Sequence, residues 1–304
     1  VDFAVSGVSV DPWLPPLAAF AISFFTSMGG VSGAFLLLPF QMSVLGYTAP
    51  SVSATNHLFN IVAIPSGVWR YIREGRMVWP LTWIVIAATL PGVLVGAVVR
   101  VRYLPDPARF KLFAAMVLLY IGFRMVRELI PSRRTARQGP TAEERFQQLA
   151  ASHREERGDL PRVQVLRFGL GRLEYSFYGE RFGFSTPGVF ALAFVVGIAG
   201  GIYGIGGGAI LAPFFVSVFG LPVYTVAGAA LMGTLVTSVA GVAFMVAMGV
   251  GPDWLLGLLF GLGGAAGMYC GARVQKHVPA RAIKAMLCLV IIATGAKYVV
   301  DFLN

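Results

Sequence analysis

GGVSGAFLLLPFQMSVLG, residues 29–46, and GGIYGIGGGAILAPFFVSVFG, residues 200–220, are the two stretches from which the fold is read. Sliding the chain along itself by 174 residues places Gly30 on Gly204, Gly33 on Gly207, Leu37 on Leu211, Pro39 on Pro213 and Gly46 on Gly220 without a gap. The same offset carries Val52 onto Val226, Gly67 onto Gly241 and Gly75 onto Gly249, so the chain reads as two copies of one unit. In each copy the glycines interrupt an apolar run. The first run, residues 13–45, would reach about 50 Å as a single helix, against a bilayer core of about 30 Å. The cluster Gly29, Gly30 and Gly33 supplies a break, because glycine tolerates backbone conformations that other residues avoid.

The composition around these runs excludes an ordinary soluble enzyme. Of 304 residues, 57% are hydrophobic and 12% charged, and mean hydropathy is +0.74, where a soluble domain carries about 25% charged residues. No Asp, Glu, Lys or Arg lies between Asp11 and Arg70, and from Phe182 to Ala272 only Asp253 is charged. Runs of that length hold several membrane-crossing helices. The formal charge of +10 therefore reads as orientation and lipid headgroup contact, with no nucleic-acid partner expected. The first apolar stretch lacks a basic leader, so no cleavable signal peptide is expected.

Three parts follow in order: a first transmembrane repeat over 1–127, a water-exposed connector over 128–186, and a second repeat over 187–304. Residues 1–12 read as a short exposed lead. After the broken segment 13–45 come helices over 52–72, 78–99 and 109–127. The connector holds 8 of the 14 acidic residues and reads as a polar helix over 141–157 and a short hairpin over 163–184. The second repeat runs through a broken segment 187–219 and helices 225–248, 254–273 and 280–302. The fold class is thus an all-α polytopic membrane protein of two homologous halves with an α+β connector.

Two arrangements of the halves are compatible with this pattern. If each broken segment crosses once, the halves are parallel and the basic clusters are poorly sorted. If each is a hairpin that returns to its starting side, the halves are inverted. Arg70, Arg73, Arg76, the connector and Arg273 to Lys284 then share one side, while Asp2, Asp11 and Asp253 take the other. Only Arg100 to Lys111 and Lys297 are misplaced, so the positive-inside rule favours inverted repeats. The connector is then cytoplasmic and both termini are periplasmic.

In that arrangement the second helix of each broken segment starts just after its glycines, and helix N-termini offer N–H groups and partial positive charge to an anion. The same glycines would also serve close helix packing. His57 is read as the only ionisable group well inside an apolar helix, beside Asn56 and Asn60, whose i, i+4 spacing puts both amides on one face. The aligned second-half positions are Ala230 and Thr234, followed by Thr237 and Ser238. The candidate substrate-binding residues are Gly30, Ser32, Gly33, Asn56, His57, Asn60, Tyr203, Gly204, Gly206, Gly207, Gly208, Thr234, Thr237 and Ser238. No Asp or Glu falls in a helix core, which argues against a carboxylate proton relay and leaves His57 as the proton carrier if one operates.

The motif GIYGIGGGAILAPFF, followed by FGLP and GTLVTS, with its degenerate first copy GGVSGAFLLLPF, LGYTAP and SATNHLFN, resembles the TauE/SafE family of sulfite exporters, also called the TSUP family. The resemblance covers 13–127 and 187–302. It implies a multi-pass bacterial inner-membrane exporter of sulfite, sulfonates or related sulfur-containing anions. The first copy departs from the pattern, with Ser32 and Ala34 where the second has Gly206 and Gly208. The expected partners are a small anionic substrate and membrane lipid, and a homo-oligomer is compatible with the pattern. No cofactor or metal is expected, and no enzymatic activity. Two other readings are a passive anion channel and an intramembrane thiol protein using Cys270 or Cys288. The second lacks paired catalytic carboxylates and a clustered Cys/His ligand set.

Overall fold

The computed structural model describes the chain except residues 29–31, 74, 130–162, 178, 209–210, 275–279 and 304. The polar helix expected over 141–157 therefore lies outside the described residues. The first half consists of a hairpin of β1 (Asp2–Phe3) and β2 (Val8–Ser9), the broken pair α1 (Leu14–Met28) and α2 (Ala34–Ser43), then α3 (Ser51–Ala63), α4 (Pro65–Arg73), α5 (Trp79–Arg102) and α6 (Pro107–Leu129). Three antiparallel strands follow: β3 (Gln164–Phe168), β4 (Arg172–Phe177) and β5 (Glu180–Ser185). The second half holds α7 (Thr186–Tyr203), α8 (Leu211–Phe219), α9 (Val223–Ala247), α10 (Trp254–Val274) and α11 (Ala280–Leu303). Among the described residues four helices are long and apolar enough to cross a membrane: Trp79–Arg102, Thr186–Tyr203, Thr225–Ala247 and Trp254–Gly271. Leu14–Ser27 and Ala34–Ser43 are apolar but shorter.

Three expectations need correction. Residues 1–12 are exposed at most positions, as expected, but they are more than a lead, because their hairpin buries Phe3 and Val8 in the main core. The segment 52–72 is two helices that part at Ile64, since Pro65 lacks the N–H and crowds the preceding turn. The hairpin expected over 163–184 is a three-stranded sheet, in which Leu173, Tyr175, Phe177 and Phe184 turn inward.

The helices pair reciprocally between halves. At the 174-residue offset α7 is the counterpart of α1 and α10 of α5; α1 packs along α10 and α7 along α5. The counterparts α6 and α11 pack on one another, as do α3 and α9. Glycines bring the first two pairs to backbone contact. A Cβ on Gly96 would stand 2.3 Å from the Ile198 carbonyl oxygen, and one on Gly201 would stand 2.4 Å from that of Val93. In the other pair Gly263, Gly267 and Gly271 lie against Pro16, Phe20 and Phe24. Small residues at such spacing are what lets apolar helices associate where lipid offers no hydrophobic gain.

Contacts at the helix ends fix the direction of each segment. At one end Ser6 donates its N–H and hydroxyl to the Asp253 carboxylate (3.1 and 2.9 Å), the Asp253 N–H donates to Thr55 Oγ1 (2.9 Å), and Tyr47 bonds Thr55 (3.1 Å). At the other end the Tyr175 hydroxyl bonds Thr225 Oγ1 at 2.7 Å, and Val163 N–H donates to the Gly75 carbonyl. Here the Phe219 ring at the close of α8 sits near Gly188 at the opening of α7. That pair is therefore a hairpin whose two ends meet at the sheet. Helices α3 and α4 run from the Asp253 end to the sheet end. Helix α9 runs back, with Met245 packed on Ala54 and Ala97.

The glycine crossings give a direct test. Gly96→Ala must displace backbone and should lower stability by about 1–3 kcal/mol, read as a lower thermal unfolding midpoint in detergent. Gly171→Ala, in open space, should leave that midpoint unchanged.

Candidate functional site

The second break is built by glycines that abut three helices at once. Helix α7 ends at Gly204, whose left-handed backbone (φ +81°) directs its N–H back to the Gly200 carbonyl. A Cβ on Gly204 would meet the Ser53 backbone of α3 at 2.6 Å, and one on Gly207 would meet the Thr89 side chain of α5 at 2.4 Å. Gly206 faces Thr234 and Ser238 of α9, and Gly208 rests on the Ala230 carbonyl. Side chains at these places would push the break off the helices that line it.

Around this break the polar residues of the first half converge. The Ala34 N–H donates to Ser32 Oγ (3.3 Å), and Ser32 donates to Asn60 Oδ1 (3.4 Å). The Asn60 amide donates to the Ile205 carbonyl (3.0 Å) and to Ser238 Oγ (3.4 Å). Ser238 lies 3.3 Å from His57 Nδ1. The roles in that contact follow the imidazole tautomer, since Ser238 Oγ, already accepting from Asn60, can also accept from a protonated Nδ1 or donate to an unprotonated one. Nε2 is buried without a hydrogen-bond partner among the described residues, and it faces Gly241, where a Cβ would stand 2.9 Å away. The chain thus ends on a ring nitrogen whose hydrogen-bonding capacity is unused. Ser32, His57, Asn60, Thr234, Thr237 and Ser238 are all buried, so this is a closed arrangement.

The remaining candidates fall into place with less uniform roles. The Gly207 N–H is not bare: it donates to Thr237 Oγ1 at 3.2 Å. Thr237 and Thr234 return their own protons to carbonyls of α9. Asn56 and Asn60 part company, for Asn56 donates to the Ala34 carbonyl at 2.9 Å and accepts from Gln41 at 3.4 Å. The Tyr203 hydroxyl donates to the Phe35 carbonyl at 2.8 Å and so ties the two breaks together. Gly33 faces Ser23 and Thr26 of α1, and Gly30 lies outside the described residues. Sequence reasoning missed Gln41, Ser23 and Thr89; Gln41 is the only amide in α2, a signal that could have found it. It also took His57 as the one ionisable group within the helices, whereas Arg100 is fully buried in α5.

Helices of membrane length enclosing a polar centre between two broken segments define a polytopic membrane protein of the transport class. The family description "Sulfite exporter TauE/SafE" matches residues 16–298, and the chain belongs to that family, whose members are transporters and not enzymes. No curated protein and no solved structure matches it.

The donor chain makes a prediction of its own. Ser238→Ala removes the hydroxyl that bonds His57 Nδ1. Nitrogen-15 histidine spectra should show one dominant tautomer for wild-type His57 and a mixture of tautomers in the variant. The variant should also lose about 1 kcal/mol of stability.

Proposed function

We propose that the protein exports small sulfur-containing oxyanions, sulfite or organosulfonates, which bind between the two broken segments. The observation that carries this reading is the buried donor chain from Ala34 to His57. Its links at 3.3–3.4 Å are longer than the optimum of about 2.9 Å. Such bonds are readily exchanged for stronger ones to a charged oxygen. In this reading the Asn60 amide, the Ser238 hydroxyl, the Gly207 N–H and the His57 imidazole exchange their present partners for oxygens of one tetrahedral or pyramidal anion. An inside-negative potential drives a bound anion outward by about 2.3 kcal/mol per charge for each 100 mV.

The proposal includes an inverted-repeat topology. The reciprocal pairing of α1 with α10 and of α7 with α5 supports it, as does the return of α8 to the opening of α7. In this topology the connector is cytoplasmic and the Asp253 end is periplasmic, in the bacterial inner membrane. Some of the misplaced basic residues then have a local reason: Arg100 is buried, and Arg109 pairs with Asp106 at 3.6 Å.

Sulfite, methanesulfonate, thiosulfate and acetate should separate in a thermal-stabilisation panel on purified protein, with the sulfur oxyanions raising the midpoint. Proteoliposomes should accumulate or release the same anions saturably. Asn60→Asp, which puts a negative charge in the donor chain, should abolish both effects while the protein still folds. Stabilisation by acetate alone would exclude the sulfur specificity. For topology, a cysteine at Leu170, which is 92% exposed at the β3–β4 turn, should be labelled from the cytoplasmic side in a variant lacking Cys270 and Cys288. One at Val5 should be labelled from the periplasmic side.

A further inference from the structure

Arg100 is a buried cation that no carboxylate pairs with among the described residues. Its side chain is fully closed off; Nε donates to Ser53 Oγ at 3.3 Å, Nη2 to the Thr48 carbonyl at 3.4 Å, and Nη1 to the Leu104 carbonyl. The guanidinium lies 3.7 Å above the centre of the Phe110 ring. All of these partners are neutral. Two of the described acids have other partners: Asp253 accepts from Ser6 and from the Leu256 N–H, and Asp106 from Arg109 and the Ala108 N–H. A buried charge without a counter-charge is costly, and an arginine held this way has two flat edges suited to an oxyanion.

Its position relates it to the centre of the molecule. Ser53, His57 and Asn60 lie at i, i+4 and i+7, one stripe of α3. Ser53 Oγ also donates to the Ile202 carbonyl at the end of α7 (3.2 Å). The stripe runs about 10 Å, seven residues at 1.5 Å each, from the donor chain toward the Asp253 end, and Arg100 stands at its far limit. At the 174-residue offset Arg100, Ser53 and His57 correspond to Val274, Ala227 and Leu231. The second half therefore has no matching stripe in its α9 counterpart.

Resting on the export reading above, we propose that Arg100 is a second anion-binding station, on the Asp253 side of the central site, and the last group to hold the oxyanion before release. On arrival the anion replaces the Thr48 and Ser53 oxygens as acceptor for the guanidinium, and the polar stripe of α3 carries it there. Because the second half lacks the station, the path is asymmetric.

The test compares wild-type, Arg100→Gln and Arg100→Lys proteins in oriented proteoliposomes, with sulfite offered separately from each face. Arg100→Gln should raise the half-saturating concentration at the Asp253 face about tenfold or more, the loss of a charge-assisted bond, and leave that at the connector face within twofold. Arg100→Lys should retain most of the Asp253-face affinity, since it keeps the charge. A structural role alone would alter both faces together or lower only the amount of folded protein. Equal shifts at both faces, no shift, or a lysine variant no better than glutamine would each overturn the proposal with the export reading intact. If Arg100→Gln fails to fold, the lysine comparison alone decides, with unchanged Asp253-face affinity in its favour and a loss matched at both faces against it. Wild-type protein that carries no sulfite, sulfonate or thiosulfate would remove the export reading, and this inference with it.

Discussion

The structure depends on backbone meeting backbone where glycines remove every side chain between. The second break touches α3 through Gly204 and α9 through Gly208, with Gly207 against a side chain of α5. The long helices meet in the same manner, Gly96 and Gly201 in one pair and Gly263, Gly267 and Gly271 in the other. In a bilayer apolar side chains gain little by leaving lipid, so close van der Waals contact and internal hydrogen bonds must hold the helices. A chain rich in glycine can then fold tightly without a driving force from water. It also means that a non-helical segment deep in the bundle is tolerated only because protein surrounds it.

That constraint explains the polar centre. A broken helix exposes N–H and carbonyl groups that lipid cannot satisfy. Here they are met by side chains on α3, α9 and the end of α7: Asn60 takes the Ile205 carbonyl, Thr237 takes the Gly207 N–H, Asn56 takes the Ala34 carbonyl and Tyr203 takes that of Phe35. The polar residues of the site are thus the same ones that hold the breaks in place. Under the export reading, a ligand that competes for them would also loosen the contacts between the halves, which would couple binding to conformational change through shared hydrogen bonds.

Much of this was legible in the sequence, for a physical reason. The repeat is read at Gly30/Gly204, Gly33/Gly207 and Pro39/Pro213, and in the second break Gly204 and Gly208 lie against backbone that a Cβ would strike. The polarity of His57, Asn60 and Ser238 in apolar surroundings marked them as well. Their partners were not legible, because hydrogen bonds across 145 to 181 residues depend on packing that no local pattern encodes. Arg100 was misread for a related reason: at the end of an apolar helix it looks like a headgroup contact, and only the fold puts Phe110 and Thr48 over it. The N-terminal hairpin escaped because two-residue strands carry no periodicity.

The two halves share a scaffold but not a lining. Helices pair reciprocally, yet His57 stands opposite Leu231 in the alignment, Asn60 opposite Thr234 and Arg100 opposite Val274. A symmetric framework has two arrangements of nearly equal energy, one open to each side, which is what a carrier needs. A symmetric lining would bind its cargo equally from both sides and add no preference of its own. Concentrating donors and charge on α3 and α5 of the first half gives the anion a stronger hold on one side of the centre. Under the export reading, binding free energy gained there is returned on release, so the lining biases affinity between the two faces while the net driving force comes from the anion gradient and the membrane potential.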